Sequence, residues 1–586
     1  MDKSSFYMQD TRPILEERNR CEAMAMMREK FAIFAAGIFF AVYMGADAQA
    51  APPGTVPDSG IGLRRQQEQM ERLRMARAMQ EWHKAEKSEI EAPQQPHEEV
   101  ADTGRFVLRT VDFDTSEILT PAVRDAVVAA YMGHEVTLSD LYAIVEKINA
   151  LYEEQGYITC RAYLPPQTIH EGRVHIGLFE GRVGTVEVRG NAHTRSLYIE
   201  DRMKLKAGSV PRYRDMDEEL RWFNATNDVT LHMTLKAGEK PGTTDFVLTA
   251  KEPTNDAFTL YGDNAGGEAT GRWREGVYYT NRSLFGWRDR LTLGFLHTQG
   301  LNSFMAGYSY PLGLRGTRIE LSYNTNATKV IGGQYHAWGI PVNGHASALQ
   351  VMLSHPLRVT PSMKVEASLT LSCQHSVTDI EEVSSLLDDT FTDGIAALAF
   401  THYGRGGAFY HRHALTYGRW KNDSLTRLAK PSRRYAFYTF NGIYQRGAAH
   451  GQLFTLRTNL QISKTDDLRP SKQFFLGGVY SVRGYKENLL GAPNGFSCSL
   501  EYAAPVLNKP AVSLYGFLDY GTLWGGRELA EHHMLLSTGL GLRARIEDTI
   551  SLDMAAGIPL RRTVGHSAAL EKVDRVRFHL LLNAQF

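Results

Sequence analysis

The sequence has no excess of charge of either sign, few cysteines and no apolar run long enough to span a bilayer as a helix. Its 586 residues include 65 Lys and Arg against 65 Asp and Glu, so the formal net charge is zero. A chain that neutralises nucleic-acid phosphates carries a basic excess, and we therefore expect no nucleic-acid partner. With 43% hydrophobic residues and a mean hydropathy of -0.31, the chain is neither disordered nor a bundle of membrane-spanning helices. The cysteines are too few and too scattered for a disulfide framework or a CxxC metal site: Cys21, Cys160, Cys373 and Cys498.

Motifs of common catalytic sites are also lacking. The sequence contains no GxxxxGK[ST] phosphate loop, no HExxH zinc motif and no GxSxG nucleophile motif. Gly539-Leu540-Gly541 lies in an alternating stretch, where glycines favour packing or curvature rather than phosphate binding. We expect a protein that is not an enzyme and needs no cofactor and no metal.

Residues 1–50 carry the pattern of a secretory signal peptide. Arg28, Glu29 and Lys30 precede an uncharged, largely apolar stretch over residues 31–46, and Ala48-Gln49-Ala50 is a small-x-small triplet suited to a peptidase. The alternative is a single membrane anchor, but this stretch is shorter than the roughly 20 residues that span a bilayer. The segment before it is unusually long, so translation could begin at one of three internal methionines: Met24, Met26 or Met27.

A helix is predicted over residues 63–87, within the segment 51–103. It contains no Gly or Pro and is rich in strong helix formers. Most of its surface consists of charged or amide side chains, so the helix must be in contact with water, either as a solvated spacer or inside a water-filled channel. Residues 92–99 are a proline-containing linker. The apolar positions of the helix form only a narrow stripe: Met70, Leu73, Ala76, Met79 and Trp82.

Two small mixed modules are predicted over residues 104–182 and 183–253, as a weak internal repeat of strand, helices and two strands. In the first, apolar residues recur at helical spacing after Ser139, and Gly156 follows as a stop signal. The strands after it alternate, which places Cys160 on a buried face. The apolar helix positions are Leu141, Ile144, Val145, Ile148, Leu151 and Tyr152.

The sequence of the first module resembles the first POTRA domain of two-partner secretion transporters. Such a module has sheet edges and a groove beside a helix, which suit an extended peptide held by strand addition. The alternative is a rigid spacer without a ligand. The matching stretches are Gly156-Tyr157-Ile158-Thr159, Leu164-Pro165-Pro166-Gln167, Glu171-Gly172 and Phe179-Glu180-Gly181-Arg182-Val183.

Residues 254–586 consist of alternating runs of about ten residues separated by turn sequences. The stretches 291–295, 512–520 and 576–586 alternate, the last with imperfect phase near its end. A soluble sandwich would also alternate, but the strand length, the aromatic content and the signal peptide favour a transmembrane barrel. We expect a mainly β protein with a 16-stranded antiparallel barrel, whose lumen is wide enough for water. The last strand ends in Phe586 and resembles the C-terminal strand that bacterial outer-membrane proteins present to the assembly machinery.

The segment 464–495 contains two dense motifs, Phe474-Phe475-Leu476-Gly477-Gly478 and Ser481-Val482-Arg483-Gly484-Tyr485. They resemble the signature loop shared by two-partner secretion transporters and related outer-membrane assembly factors. The resemblance implies that this loop folds back into the barrel and that Arg483 meets an acidic residue of the inner wall. The matching wall segment is Gly516-Phe517-Leu518-Asp519-Tyr520-Gly521, where alternation puts Phe517 and Asp519 on the lumen face with Gly521.

Physical chemistry supports that pairing. A buried Arg483 needs a carboxylate, and a lumen-facing Asp519 is best served by a cation. Val482 and Gly484 flank Arg483 at the tip of the loop, and Gly484 lets the chain turn tightly there. We expect Tyr485 to pack on the wall with its hydroxyl in water. The alternative for Arg483 is a solvated loop cation.

The resemblance implies an outer-membrane transporter of the haemolysin secretion/activation type. It would move one large unfolded exoprotein, of haemolysin or adhesin type, from the periplasm to the cell surface through its own barrel. Its partners would be that exoprotein, outer-membrane lipid and the barrel-assembly machinery, with the POTRA domains in the periplasm. The polar helix would be a resting plug. Two other functions stay open, an assembly factor for other barrels and a diffusion porin.

Overall fold

The structure is a computed structural model, and it describes residues 58–80, 90–91, 104–380, 383–423, 432–508, 511–526, 532–547, 549–566 and 569–586. The predicted signal peptide lies outside the described residues, as do the linker 92–99 and residues 81–87 of the predicted helix. No helix in the described part of the chain is long and apolar enough to cross a membrane.

The first long helix, α1 (Gly60–Gln80), begins three residues before the predicted start. The side chain of Asp58 explains this start, because its Oδ1 accepts the backbone N–H of Gly60 at 2.8 Å and so satisfies one of the free donors of the first turn. Within the helix, the Arg64 guanidinium pairs with Glu68 at the (i, i+4) spacing that supports an exposed helix face.

The first α+β domain packs two helices against a small sheet. The sheet order is β3, β6, β5, with β3 parallel and β5 antiparallel to β6. A capping box starts the main helix one residue before Ser139, since the Thr137 side chain accepts the N–H of Asp140 and the Asp140 carboxylate accepts that of Thr137. The elements are β2 (Phe106–Val107), β3 (Thr110–Phe113), α2 (Pro121–Val128), β4 (Glu135–Val136), α3 (Leu138–Glu154), β5 (Cys160–Tyr163) and β6 (Arg173–Glu180). All six of the predicted apolar helix positions pack in its core, and Cys160 is buried there.

The second α+β domain repeats this plan with a sheet of four strands. Its elements are β7 (Arg182–Arg189), α4 (Ser196–Met203), α5 (Tyr213–Thr226), β8 (Thr230–Ala237) and β9 (Thr243–Lys251). The sheet order is β1, β8, β9, β7, where β1 (Ile90–Glu91) comes from the segment between α1 and the first domain. This strand lies parallel to β8, with Ile90 opposite Met233. The sequence did not predict it, because a two-residue strand has no readable period.

The rest of the chain is a closed antiparallel barrel of sixteen strands, as predicted. The strand β29 pairs with β10 and closes the barrel. The barrel strands are β10 (Asp256–Asp263), β11 (Arg274–Asn281), β12 (Arg290–Thr298), β13 (Leu301–Leu312), β14 (Thr317–Lys329), β15 (Val342–Thr360), β16 (Met363–Ile380), β17 (Val383–Gly404), β18 (Gly407–Asn422), β19 (Ser432–Gly447), β20 (Leu453–Ser463), β23 (Asn494–Asn508), β24 (Ala511–Trp524), β25 (Met534–Ile546), β26 (Ile550–Pro559) and β29 (Arg577–Gln585). Its connections contain the helix α6 (Gln334–Ala337), two 3-10 turns (Ala449–Gly451 and Pro470–Lys472) and two hairpins, β21 (Phe474–Leu476) with β22 (Leu490–Ala492) and β27 (Thr563–His566) with β28 (Ala569–Lys572).

The two ends of the barrel are distinguished by the second domain. The turns 282–289 and 313–316 contact this domain, and we call their end of the barrel the proximal end and the opposite end the distal end. At the second turn, the Trp222 indole N–H donates to the carbonyl of Arg315 at 3.2 Å. Because the strands alternate in direction, the segment 464–493 leaves the barrel at the distal end.

An acidic residue of the second domain anchors the first of these turns. Asp228 accepts two hydrogen bonds from Arg288, at 3.0 Å from Nε and 2.6 Å from Nη2. Burial opposes ionisation of this carboxyl, but attraction to Arg288 and Arg290 outweighs it and lowers the pKa of Asp228 to about 2. The ion pairs therefore tie the domain to the barrel at neutral pH.

Candidate functional site

The segment between β20 and β23 folds back into the lumen from the distal end. Its hairpin β21–β22 and the loop tip share a buried apolar cluster with the wall that includes Leu476, Val482, Tyr485, Leu523 and Leu535. These side chains occupy the bore because the wall residues that they contact lie on the buried, inward face of strands β24 and β25. The predicted signature loop therefore lies inside the barrel.

Arg483 lies against the predicted wall segment. Its Nε is 2.7 Å from Oδ2 of Asp519 and its Nη2 is 2.8 Å from Oδ1, so the pair is bidentate. The backbone N–H of Arg483 donates to the same carboxylate at 3.0 Å. The guanidinium also lies 3.5 Å from the ring centre of Phe517, which is a close cation–π contact. Arg483 is 6% exposed and Asp519 is fully buried, so water does not screen the pair.

A second acidic residue, which the sequence analysis did not single out, completes this site. Glu501 of β23 accepts a hydrogen bond from Nη1 of Arg483 at 3.2 Å. It also pairs with Arg543 and, at 3.5 Å, with Arg457. Arg543 in turn reaches Asp553 at 2.7 Å, which extends the network across five inner-wall strands, β20 and β23 to β26. Alternation could have located Glu501, because its neighbours Leu500 and Tyr502 are exposed on the outer face of the barrel.

Gly484 gives the loop tip a shape that other residues cannot adopt easily. Its φ is +88°, and a Cβ there would lie 3.0 Å from the carbonyl carbon of Gly557 on β26. Its N–H donates to Nε2 of His579 at 3.0 Å. The tip is therefore pressed onto strands near the closure of the barrel. Gly521 of β24 leaves space for the loop in the same way, since a Cβ there would lie 2.9 Å from the Val482 side chain.

The expectation for Tyr485 was wrong in one respect. Its ring is fully buried against the wall, but its hydroxyl is not in water. The hydroxyl donates toward two backbone carbonyls, those of Leu536 at 2.9 Å and Arg561 at 2.8 Å. Backbone acceptors at strand ends cannot be read from side-chain patterns, so the sequence did not show that this hydroxyl has partners.

The helix α1 also lies in the lumen, where it runs from the distal end to the proximal end. At the distal end, Oγ of Ser59 lies 2.9 Å from Oγ of Ser376 and from the carbonyl of Val377. Asp58 Oδ2 accepts the N–H of Ser471, in the segment that leads into the signature loop, at 3.1 Å. At the proximal end, Met79 is buried against Ala408 and Tyr410, beside the turn between β17 and β18.

Charged side chains fix the middle of the helix. Arg74 lies 2.8 Å from Glu71 and 3.3 Å from Glu320 of β14, while Arg412 of β18 lies 3.7 Å from Glu71. The guanidinium of Arg72 lies 3.6 Å from the ring centre of Tyr480 in the signature loop. The helix thus contacts both the wall and the loop.

The narrow apolar stripe of the helix is only partly described. Met70 is half-buried and lines the bore, Met79 is buried, and the side chain of Leu73 lies outside the described part of the structure. The prediction that water surrounds the helix on nearly all sides was too strong. Leu63 packs against Ala346 and Ala348 of β15 and is 1% exposed. A cavity of about 360 Å³ remains beside the helix, lined by polar and apolar side chains of the helix, the wall and the loop.

This combination of a closed sixteen-stranded barrel, two small α+β domains at one end and an arginine-bearing loop in the bore defines an outer-membrane protein transporter of the two-partner secretion class. Residues 242–544 match the family model described as haemolysin secretion/activation protein ShlB/FhaC/HecB. Residues 106–181 match the ShlB-type POTRA domain. The chain belongs to the ShlB/FhaC/HecB family.

Individual relatives agree with this assignment. The chain is 22% identical over 488 residues to the heme/hemopexin transporter protein HuxB of Haemophilus influenzae, covering 79% of this chain and 85% of that protein. It is 25% identical over 473 residues to the outer membrane transporter CdiB of Escherichia coli, covering 74% and 78%. The solved structure of CdiB from Escherichia coli has the same fold, with a TM-score of 0.65, 20% identity and coverage of 91% of this chain and all of that one. Transporters of this family act with a secreted partner protein, and this chain therefore has such a partner.

Proposed function

We propose that this protein exports one large unfolded exoprotein, of haemolysin or adhesin type, from the periplasm to the cell surface through its own barrel. In this orientation the proximal end and the POTRA domains are periplasmic, and the distal end faces the exterior. The observation that carries the proposal is the bore itself, which is occupied by two segments of the same chain, α1 and the signature loop, held largely by polar and ionic contacts beside small apolar clusters. Such contacts can be exchanged for those of a passing polypeptide.

The first POTRA domain supports capture of the exoprotein by strand addition. The strand β5 is an edge of its sheet, with its ladder partner β6 on one side. Its outward backbone donor, the N–H of Ala162, bonds to Oδ1 of Asn149 on α3 at 2.7 Å. An incoming strand would replace that amide with a backbone carbonyl, and the half-exposed ring of Tyr163 would lie beside it.

The second POTRA domain offers a different edge. Its strand β8 already pairs with β1, which belongs to the segment that follows the plug helix. Strand addition at β5 of the first domain therefore does not require β1 to leave the sheet of the second domain. Translocation in this proposal is a physical process that makes and breaks no covalent bond, so the protein is not an enzyme.

We expect the last strand to guide assembly of the barrel. The backbone of Phe586 pairs with Phe258 of β10 in both directions, at 2.8 and 3.0 Å, so the last residue belongs to the closing seam. Removing Phe586 would lower the amount of folded transporter in the outer membrane. Its level and heat-modifiable mobility on gels test this, and an unchanged level would contradict a role in assembly.

The experiment for the main proposal is co-expression of the transporter with candidate large exoproteins, comparing culture medium with periplasm. The variant lacking residues 104–181 should leave the exoprotein in the periplasm while the barrel still inserts. An assembly factor would instead lower many outer-membrane proteins at once when the transporter is depleted. A diffusion porin would be indicated if the deletion had no effect on secretion.

A further inference from the structure

The outer face of β18 changes from apolar to basic toward its distal end. The inward residues Trp420 and Asn422 are buried in the lumen and donate to Asp389. The alternate positions point outward, and of these Leu415 is 57% and Tyr417 is 56% exposed. Arg419 and Lys421 continue that outward row and are also exposed. The lipid-facing surface of this strand thus ends in two cations directly above its apolar band.

The neighbouring strand adds a third outward cation at the same place. Arg434 of β19 lies directly opposite Arg419 in the ladder and is exposed. Like charges at directly opposed positions destabilise a sheet unless an anion lies between them. Arg419 donates from Nε to Oγ of Ser432 at 3.2 Å, and Lys421 pairs with Asp423 at 2.8 Å. Within the described ranges, no acidic side chain forms an ion pair with either of the two opposed arginines.

We propose that Arg419 and Arg434 bind a phosphate group of lipid A in the outer leaflet of the outer membrane. Two opposed guanidinium groups present donors in forks that match phosphate oxygens, and the anion would remove the repulsion between them. The acyl chains of lipid A would then lie along Tyr417, Leu415 and the outward face of β19. This inference rests on the orientation given in the proposed function, which places the distal end in the outer leaflet.

The other end of β19 provides a matched control. Arg446 is also exposed, points outward by alternation and lies one residue before the end of the barrel strand at Gly447. It lies opposite Gly407 rather than another cation. Arg446 therefore has the same charge but no arginine directly opposite it in the ladder.

The test is a titration of the purified full-length protein in detergent, followed by native mass spectrometry. The probes are bisphosphorylated lipid A, the same lipid with both phosphates removed, and phosphatidylglycerol. The wild type should prefer bisphosphorylated lipid A to the other two. The double variant Arg419→Gln with Arg434→Gln should lose about tenfold or more in affinity for it, the effect of removing one charged hydrogen bond to phosphate. The Arg446→Gln variant should bind as the wild type does, and heat-modifiable mobility checks that all variants keep the barrel.

Three results would overturn the assignment: wild-type affinity in the double variant, an equal loss in Arg446→Gln, or equal binding of phosphatidylglycerol. If the double variant does not fold, the single variant Arg434→Gln answers the same question. Surface labelling of Ser432→Cys in intact cells tests the orientation separately. An unlabelled thiol would overturn the orientation together with this inference, whereas a labelled thiol without lipid A binding would overturn this inference alone.

Discussion

Arg483 of the signature loop and Asp519 of the barrel wall form a bidentate ion pair, 2.7 and 2.8 Å long, to which the loop backbone adds a third hydrogen bond. The pair joins two segments 36 residues apart in sequence, one in the bore and one in the wall. Glu501 takes the remaining side of the guanidinium. The pair fixes the tip of the loop, and the same segment forms further ion pairs, Lys472 with Asp393 at 2.7 Å and Lys486 with Glu268 at 3.1 Å.

Replacing Arg483 by Ala should reduce secretion at least about tenfold while the barrel still assembles. Two buried carboxylates would lose a partner, and breaking a buried ion pair from one side typically costs about 3–5 kcal/mol. Exoprotein in the medium measures secretion, and heat-modifiable mobility measures assembly. The control is Arg446→Ala, an exposed arginine on the outer face. Normal export by Arg483→Ala would show that secretion does not require the ion pair with Asp519.

Replacing Gly484 by Ala should displace the loop tip. The new Cβ would need both a left-handed backbone and the space that Gly557 occupies. The backbone strain alone is worth about 1–3 kcal/mol. Gly313 is a matched control, because its φ is +65° but nothing lies within 4 Å of its missing Cβ. Secretion should fall in Gly484→Ala and stay near normal in Gly313→Ala, and an equal fall in both would attribute the effect to backbone strain rather than to contact with β26.

Replacing Glu71 by Ala should loosen the plug helix. Its carboxylate pairs with Arg74 and lies 3.7 Å from Arg412 of the wall, so its loss removes the ion pair between the helix and β18 and leaves Arg74 with Glu320 alone. Planar-bilayer recordings should show more frequent large-conductance openings, approaching the behaviour of a chain lacking residues 60–90.

The matched control for the plug is Glu68→Ala. Among the described side chains, Glu68 forms its ion pair with Arg64 of the same helix, and such a pair contributes only about 0.2–0.5 kcal/mol. Traces of the control should resemble the wild type. If both variants open equally, the wall contacts of Glu71 do not hold the helix.

Acidification should loosen the contact between the second POTRA domain and the barrel. The folded pKa of Asp228 is about 2, below its ordinary value of 3.8, so its stabilising ion pairs are complete above pH about 4 and are lost as the pH falls toward 2. Spin labels at Glu218 and Ser362, in a background without native cysteines, should report a broader distance distribution over that window. Asp228→Asn should show the broad distribution already at pH 7, whereas Asp201→Asn, an exposed site on α4, should not. A wild-type distance that does not change down to pH 2 would contradict the anchor.

The fold could be predicted because its signals are periodic and local. Alternation over ten residues predicts a strand such as β24, and a capping sequence with an apolar stripe predicts α3. The Arg483 and Asp519 positions could be predicted from their motifs. Alternation along β23 could have placed Glu501 on the lumen face. Its pairing with Arg483, the pairing of β1 with β8 and the Asp228 anchor could not be predicted, since each depends on which distant segments meet. The partners of the Tyr485 hydroxyl are backbone carbonyls, which have no sequence signature.

The plug helix is held differently at its two ends. At the distal end, Asp58 and Ser59 bond to β16 and to the segment before the signature loop, whereas the described side chains at the proximal end, Met75 and Met79, make apolar contacts. A polypeptide that enters from the POTRA side therefore meets the apolar contacts of Met75 and Met79 first. If the helix leaves the bore from its proximal end, the hydrogen bonds of Asp58 and Ser59 would be the last to break.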